Sequence, residues 1–130
     1  MIAYDESFDP PAPTLLVTIA GVVKSRPRVQ IPALIDTGSD ITAIPATIVK
    51  KLNLYPLKRL QMEDVNAAKI VSHTYGARLT VAQVTTREME VIQTGLPFAV
   101  LGRDWLQDYY LLLNGPARNF QLSATPLSLE

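Results

Sequence analysis

Along this chain apolar residues come in short runs broken by turn residues, and β-branched or alternating stretches outnumber those of helical period. Thr14–Ile19 (TLLVTI) and Val29–Ile35 (VQIPALI) are expected strands, joined through Gly21 and the basic turn Lys24-Ser25-Arg26-Pro27-Arg28. The second run leads straight into Asp36-Thr37-Gly38-Ser39-Asp40, and Ile41–Ile44 (ITAI) follows as a third strand. Pro45 suits the first position of a short helix over Ala46–Leu52, with Ile48, Val49 and Leu52 on its apolar face. Leu57–Met62 and Ile70–Tyr75 are extended arms around a polar hairpin tip, Asp64-Val65-Asn66-Ala67-Ala68. Ala77–Val84 and Arg87–Thr94 alternate apolar and polar residues, as strands with one wet face do. Pro97–Leu101 (PFAVL) is continuously apolar, which suits a buried strand, and it stops at Gly102. A short helix is expected over Arg103–Asp108, then strands at Tyr109–Leu113 and Asn119–Leu122 around the turn Asn114-Gly115-Pro116. Many short strands with two short helices predict an all-β domain.

The 130 residues suffice for one domain with a real core. It is expected over residues 14–124, after a flexible proline-rich arm at 1–13 and before a tail at 125–130. Composition then narrows the chemistry. Cysteine is absent, which excludes a disulfide scaffold, a thiol nucleophile and a cysteine-ligated metal. The single histidine, His73, excludes a multi-histidine metal site in one chain and leaves a Ser-His-Asp triad only with His73 as base. Lys plus Arg and Asp plus Glu number 12 each, so the chain lacks the basic footprint of a nucleic-acid binder. The basic clusters Lys24/Arg26/Arg28 and Lys50/Lys51/Lys58/Arg59 therefore read as solvated faces. Leu15 to Val23 is too short to span a bilayer, and the start MIAYDESFDPP is acidic where a leader peptide is basic. No membrane partner is expected, and the expected location is cytoplasmic.

The chemistry concentrates in Ala33-Leu34-Ile35-Asp36-Thr37-Gly38-Ser39-Asp40. An apolar strand delivers a carboxylate at its end, and small hydrogen-bonding residues follow. Gly38 lets the backbone turn and come close, while hydroxyls and N–H groups orient the acid. Taken alone, Asp-Thr-Gly also fits an ordinary turn after a strand. Three further features favour a site. The motif lies between two apolar runs, Ala99-Val100-Leu101-Gly102-Arg103-Asp104 begins 66 residues downstream, and a hairpin lies between them.

Together ALIDTGSD and AVLGRDWL resemble the retropepsins, the retrovirus-type single-domain aspartic proteases and their cellular and bacterial relatives, from about Thr14 to Leu122. The resemblance implies a closed, barrel-like acid-protease protomer. Carried over by position, Asp36 is the catalytic aspartate, Thr37 braces two active-site loops across a dimer, and Gly38 binds substrate backbone. Ser39 would hydrogen-bond the carboxylate. Asp40 and Arg103 would form an ion pair tying the loop to the helix, with Gly102 and Arg103 as structural support. The hairpin at about Gln61–Ile70 would be a flap over the substrate. Substrate contacts are expected from Ser39, Asp40, Asp64, Val65, Asn66, Ala67 and Leu101.

There is no second Asp-Thr-Gly or Asp-Ser-Gly. A protease of this kind must then be a homodimer with one Asp36 from each chain, acting on polypeptide without metal or other cofactor. Ser39 as a donor to the carboxylate would favour mildly acidic working conditions. Two departures keep an alternative open. The flap tip lacks the glycines of the viral enzymes, and Pro10-Pro11-Ala12-Pro13 cannot supply a regular terminal ladder. The alternative is a non-catalytic peptide-binding or dimerisation module with the same fold.

Overall fold

In chain order the elements are β1 (Ile2–Ala3), β2 (Thr14–Ala20), β3 (Arg28–Ile35), β4 (Ala43–Pro45), α1 (Ala46–Lys51), β5 (Tyr55–Glu63), β6 (Lys69–Val81), β7 (Thr85–Thr94), β8 (Ala99–Leu101), α2 (Arg103–Leu106), β9 (Tyr110–Asn114) and β10 (Asn119–Ser123). This computed structural model describes residues 1–23, 27–63, 66, 69–82 and 85–128. Residue alternation decides which way each strand faces. In β2, Leu15, Val17 and Ile19 turn into the core while Leu16 faces water. In β6, the strand beside it, Ala77, Leu79 and Val81 do the same.

The strands hydrogen-bond in the order β2-β3-β8-β4-β7-β6, and β6 returns to pair with β2 from Val17↔Val81 to Ala20↔Arg78. Six strands thus close into a barrel, and β5 is added outside β6. Closure leaves no open edge among those six, so the apolar faces share one core. Trp105 of α2 plugs that core at 1% exposure and stacks on Tyr109 with ring centroids 4.4 Å apart. A second sheet, β1-β10-β9, packs Phe120 into the same core. The protein is therefore all-β with two short helices, as the sequence pattern predicted, and it closes into the barrel that the resemblance implied.

Four local expectations change. Ile70–Tyr75 and Ala77–Val84 are not two segments, because β6 runs unbroken through Gly76. A Cβ there would lie 3.6 Å from Leu57 Cδ1, so the missing side chain gives β5 room to pack on β6. The third strand starts at Ala43, not Ile41, because the Thr42 N–H goes to a side chain of α2 (Thr42 N to Asp104 Oδ2, 3.0 Å) and not to a ladder. Pro45 ends β4 as the N-cap of α1, so its fixed φ serves the strand exit, and α1 itself stops at Lys51.

The N-terminal segment, expected as an arm without a fold of its own, carries pairings. Ile2↔Phe120 and Ala3↔Asn119 join β1 to β10, and an isolated bridge links Asp5 with Ala12. The end of the proline-rich stretch takes part: Ala12 exchanges backbone hydrogen bonds with Asp5 at 2.7 and 3.3 Å, and the Pro13 carbonyl accepts the Ile35 N–H at 3.0 Å. Ser7 caps the loop by donating its N–H and hydroxyl to Asp5 Oδ1 at 2.9 and 2.6 Å, which holds the Asp5 carboxyl below its ordinary value.

Candidate active site

Register places the acid. β3 pairs in parallel with β8, Ala33↔Ala99 through Ile35↔Leu101, so both strands end together in the middle of the sheet. The Asp36 N–H donates to the Leu101 carbonyl at 3.1 Å, which extends the ladder one residue and fixes where the chain leaves the strand. Asp36 itself is half-buried, while Thr37 and Gly38 are exposed beside it. The carboxylate is therefore held by a rigid strand end yet open on one side.

The loop closes on that carboxylate. Gly38 N–H donates to Asp36 Oδ1 at 2.9 Å, and Ser39 N–H donates to the Asp36 carbonyl at 3.2 Å. A Cβ at Gly38 would stand 3.1 Å from Asp36 Oδ1, so a side chain there would press on the acid. Ser39 does not supply the expected hydrogen bond to the carboxylate. Its hydroxyl donates to the Ile41 carbonyl at 2.9 Å, two residues on, as serine hydroxyls do in tight turns. The ground for a mildly acidic optimum goes with it.

Behind the loop stands α2. The Arg103 N–H donates to the Ser39 carbonyl at 2.8 Å, and the Arg103 guanidinium donates to the Thr37 carbonyl at 2.7 Å. The expected Asp40–Arg103 ion pair is not formed among the described residues, because this carbonyl takes the guanidinium instead. Asp40 is exposed. Gly102 is where loop and helix touch most closely. A Cβ there would meet the Ile41 carbonyl carbon and the Ser39 oxygen at 2.9 Å each.

The acid that ties loop to helix is Asp104. It accepts from Thr42 N–H (3.0 Å), Thr42 hydroxyl (2.6 Å) and Trp105 N–H (2.8 Å). Thr42 is fully buried, and its hydroxyl oxygen in turn accepts the Gly102 N–H at 3.1 Å. Thr42 and Asp104 were not singled out from the sequence. Thr42 reads there as the interior of an apolar run, and the acidic residue after Gly102-Arg103 was the available signal. Thr42→Val would strand the Gly102 donor and leave Asp104 short of a partner. We expect a loss of about 2 kcal/mol in urea unfolding. From β7, Arg87 braces the outer side of α2: it donates to the Asp108 carboxylate (2.8 Å) and the Asp104 carbonyl (3.3 Å), and lies 5.9 Å from the Trp105 ring centroid.

The structure brings Asp36, Thr37, Gly38, Ser39, Asp40, Gly102 and Arg103 into this one junction. Leu101 does not join them on the surface. It is fully buried, its side chain turned into the core by the same register that makes its carbonyl a partner of Asp36, so it is no substrate contact. The hairpin β5–β6 pairs out to Glu63↔Lys69. Of the expected tip residues, Asn66 is an exposed turn residue, and Asp64, Val65 and Ala67 lie outside the described residues. At the hairpin base the Thr74 hydroxyl donates to Glu90, and this bond, aided by Lys58, holds the Glu90 carboxyl below its ordinary value. A hollow of about 440 Å³ opens beside Asp40, lined by Ile41, Arg87, Met89, Glu90 and Asp104. His73 is exposed on β6 and takes no part in the junction.

Comparison with known proteins agrees with this geometry. The family described as "gag-polyprotein putative aspartyl protease" matches residues 26–108, well over half of the chain and every part of the junction. Among solved structures the chain is similar to the EIAV protease complexed with the inhibitor HBY-793, with TM-score 0.54 and 21% identity over 75% of this chain and 86% of that one. It is similar also to the simian foamy virus (mac) protease, with TM-score 0.56 and 18% identity over 73% of this chain and 96% of that one. A foamy viral protease–reverse transcriptase in complex with an RNA/DNA hybrid matches at TM-score 0.52 and 20% identity over 90% of this chain, which spans 13% of that protein. At these identities the likeness shows the fold. No curated protein matches the chain. The family match over the Asp36 loop and α2, carried on a barrel shared with viral proteases, establishes that this chain belongs to the gag-polyprotein aspartyl protease family, of the retropepsin-like aspartic protease type.

Proposed function

We propose that the protein is an endopeptidase whose catalytic site forms between two copies, each contributing Asp36. The observation that carries this reading is the state of Asp36: at the end of a buried strand, held through Oδ1 by the Gly38 N–H, and open beside Thr37 and Gly38. One such carboxylate can polarise water but cannot also donate a proton. Two placed a few ångströms apart repel when both are ionised, so the pair keeps one proton and titrates as a unit. The ionised member takes a proton from a water between them, and the protonated member donates to the scissile carbonyl. The water oxygen adds to the carbonyl carbon; the tetrahedral carbon then collapses as the amine leaves with the proton that the first aspartate took from the water, while the hydroxyl proton returns to the second, so the pair again holds one proton. An extended polypeptide would lie along the strand ends in this cleft, bound by backbone hydrogen bonds.

The hollow beside Asp40 adds a preference. Its lining carries the carboxylates of Asp40, Glu90 and Asp104 against Arg87, which Asp108 already engages, and Lys58 lies 3.5 Å from Glu90, so negative charge prevails. Peptides that place Lys or Arg there should be cut roughly two- to five-fold faster than those that place Asp or Glu, the range of exposed charge pairs.

Both points are tested by one experiment: cleavage of a diverse peptide mixture across about pH 3 to 8, read by mass spectrometry, for the protein and for Asp36→Asn. Cuts that depend on Asp36 support the endopeptidase, and their flanking residues report the charge preference. A folded, dimeric protein that makes no such cuts refutes the endopeptidase and leaves the peptide-binding module.

A further inference from the structure

α2 carries Trp105 into the core, and one atom of that side chain is left over. Nε1 is buried and has no hydrogen-bond partner among the described residues. Buried donors are paired almost everywhere in folded proteins, and an unpaired one is a standing cost to the fold. The rest of the indole is engaged. Tyr109 stacks on it with ring centroids 4.4 Å apart, and the Arg87 guanidinium lies over it at 5.9 Å. What the indole offers to further contacts is therefore its edge, and Nε1 is the one polar atom on that edge.

The indole is also a wall of a hollow. This hollow, of about 190 Å³, opens in the seam between the small sheet and the barrel, with Ile2 of β1 and Leu122 of β10 on one side and Leu15 of β2 and Val81 of β6 on the other. None of its described lining residues is charged, and the Ser123 hydroxyl in it is engaged with Thr125. It shares no lining residue with the hollow beside Asp40. Its size suffices for a six-membered ring, since an apolar cavity of about 150 Å³ holds benzene. β1 is the wall that can give: it is two residues long, and Ile2 is 40% exposed.

Apolar walls suit an apolar body, uncharged walls suit a neutral one, and the unpaired donor calls for an acceptor. We infer that this seam is a binding site for a small neutral apolar molecule with one hydrogen-bond acceptor, a ketone, ester or ether oxygen, which takes the Trp105 N–H. The site stands apart from the Asp36 cleft and does not depend on the two-copy reading. A molecule held there touches α2, the helix whose Arg103 grips the Thr37 carbonyl.

Trp105 is the sole tryptophan, so a nitrogen-labelled chain gives a single indole N–H signal in a proton–nitrogen correlation spectrum. Cyclohexanone is titrated into the full chain, and benzene, a ring of similar size without the oxygen, is titrated in parallel. We expect cyclohexanone to move the indole proton downfield and to saturate with a dissociation constant on the order of 1 mM. Benzene should bind roughly fivefold or more weakly, the worth of one hydrogen bond. Ala124→Phe, which puts bulk at an exposed position of the lining, should abolish the shift and leave the rest of the spectrum in place. Benzene binding as tightly as cyclohexanone would show an apolar void that makes no use of the donor, and would overturn the inference. So would an indole signal that cyclohexanone leaves unmoved, the mark of a donor that water already satisfies, and so would a shift that survives Ala124→Phe. Cleavage of peptide plays no part in the readout, so the failure of this site and the failure of the endopeptidase are separate results.

Discussion

Asp36→Asn should lower peptide cleavage by on the order of 10²–10⁴-fold, the usual worth of a positioned proton-transfer group, with the fold unchanged. The amide has the shape of the carboxyl, and its oxygen can accept the same Gly38 N–H that Oδ1 accepts now at 2.9 Å. What it cannot do is take a proton from water. The variant also supplies a sharper test than its own inactivity. When the protein and Asp36→Asn are mixed in equal amounts and allowed to exchange, roughly a quarter of randomly formed dimers carry two aspartates. Activity per parent chain should fall to about half on mixing, since half of the parent chains end up with an inactive partner. Activity that stays proportional to the parent added would show that each chain works alone, and a rise to about one and a half times would show that a shared site needs only one carboxylate.

Gly102→Val is the other large effect, and it should appear in stability first. The cost is expected at about 3 kcal/mol, from forcing bulk into a space already closed by backbone. The reason is proximity and not dihedral freedom. Gly102 sits at φ −89° and ψ −177°, which any residue can adopt. A Cβ, however, would meet the Ser39 oxygen and the Ile41 carbonyl carbon at 2.9 Å, and neither can swing aside as a side chain would. Relief would separate the Asp36 loop from α2, breaking Arg103 N–H to Ser39 and Gly102 N–H to Thr42 together. Urea unfolding should show the lower midpoint, and cleavage should fall even where the variant is still folded. An unchanged midpoint would mean the junction is looser than its distances indicate.

The junction also shows where sequence reasoning stopped. Asp36 and Gly38 were legible because their partners are two residues away and the turn is a local object. Arg103 was placed in the right junction with the wrong partner, since the choice between the Asp40 carboxylate and the Thr37 carbonyl depends on how α2 lies against a loop 66 residues earlier. Asp104 and Thr42, separated by 62 residues, meet for the same reason. Leu101 was misjudged because one strand position offers both a carbonyl toward the site and a side chain away from it, and register alone decides which matters.

What the sequence by itself determined is the set of local objects: short alternating strands, two short helices, a single Asp-Thr-Gly turn at a strand end, and the chemistry that the absence of cysteine leaves open. Alternation and turn propensity act over a few residues, so they can be read along the chain. The tertiary structure decided the closure of β2 on β6, the pairing of β1 with β10 in the same chain, the Thr42–Asp104 tie and the open edge of β9. Each of these joins segments whose meeting depends on register and barrel closure, which are properties of the whole core and of no local stretch of it.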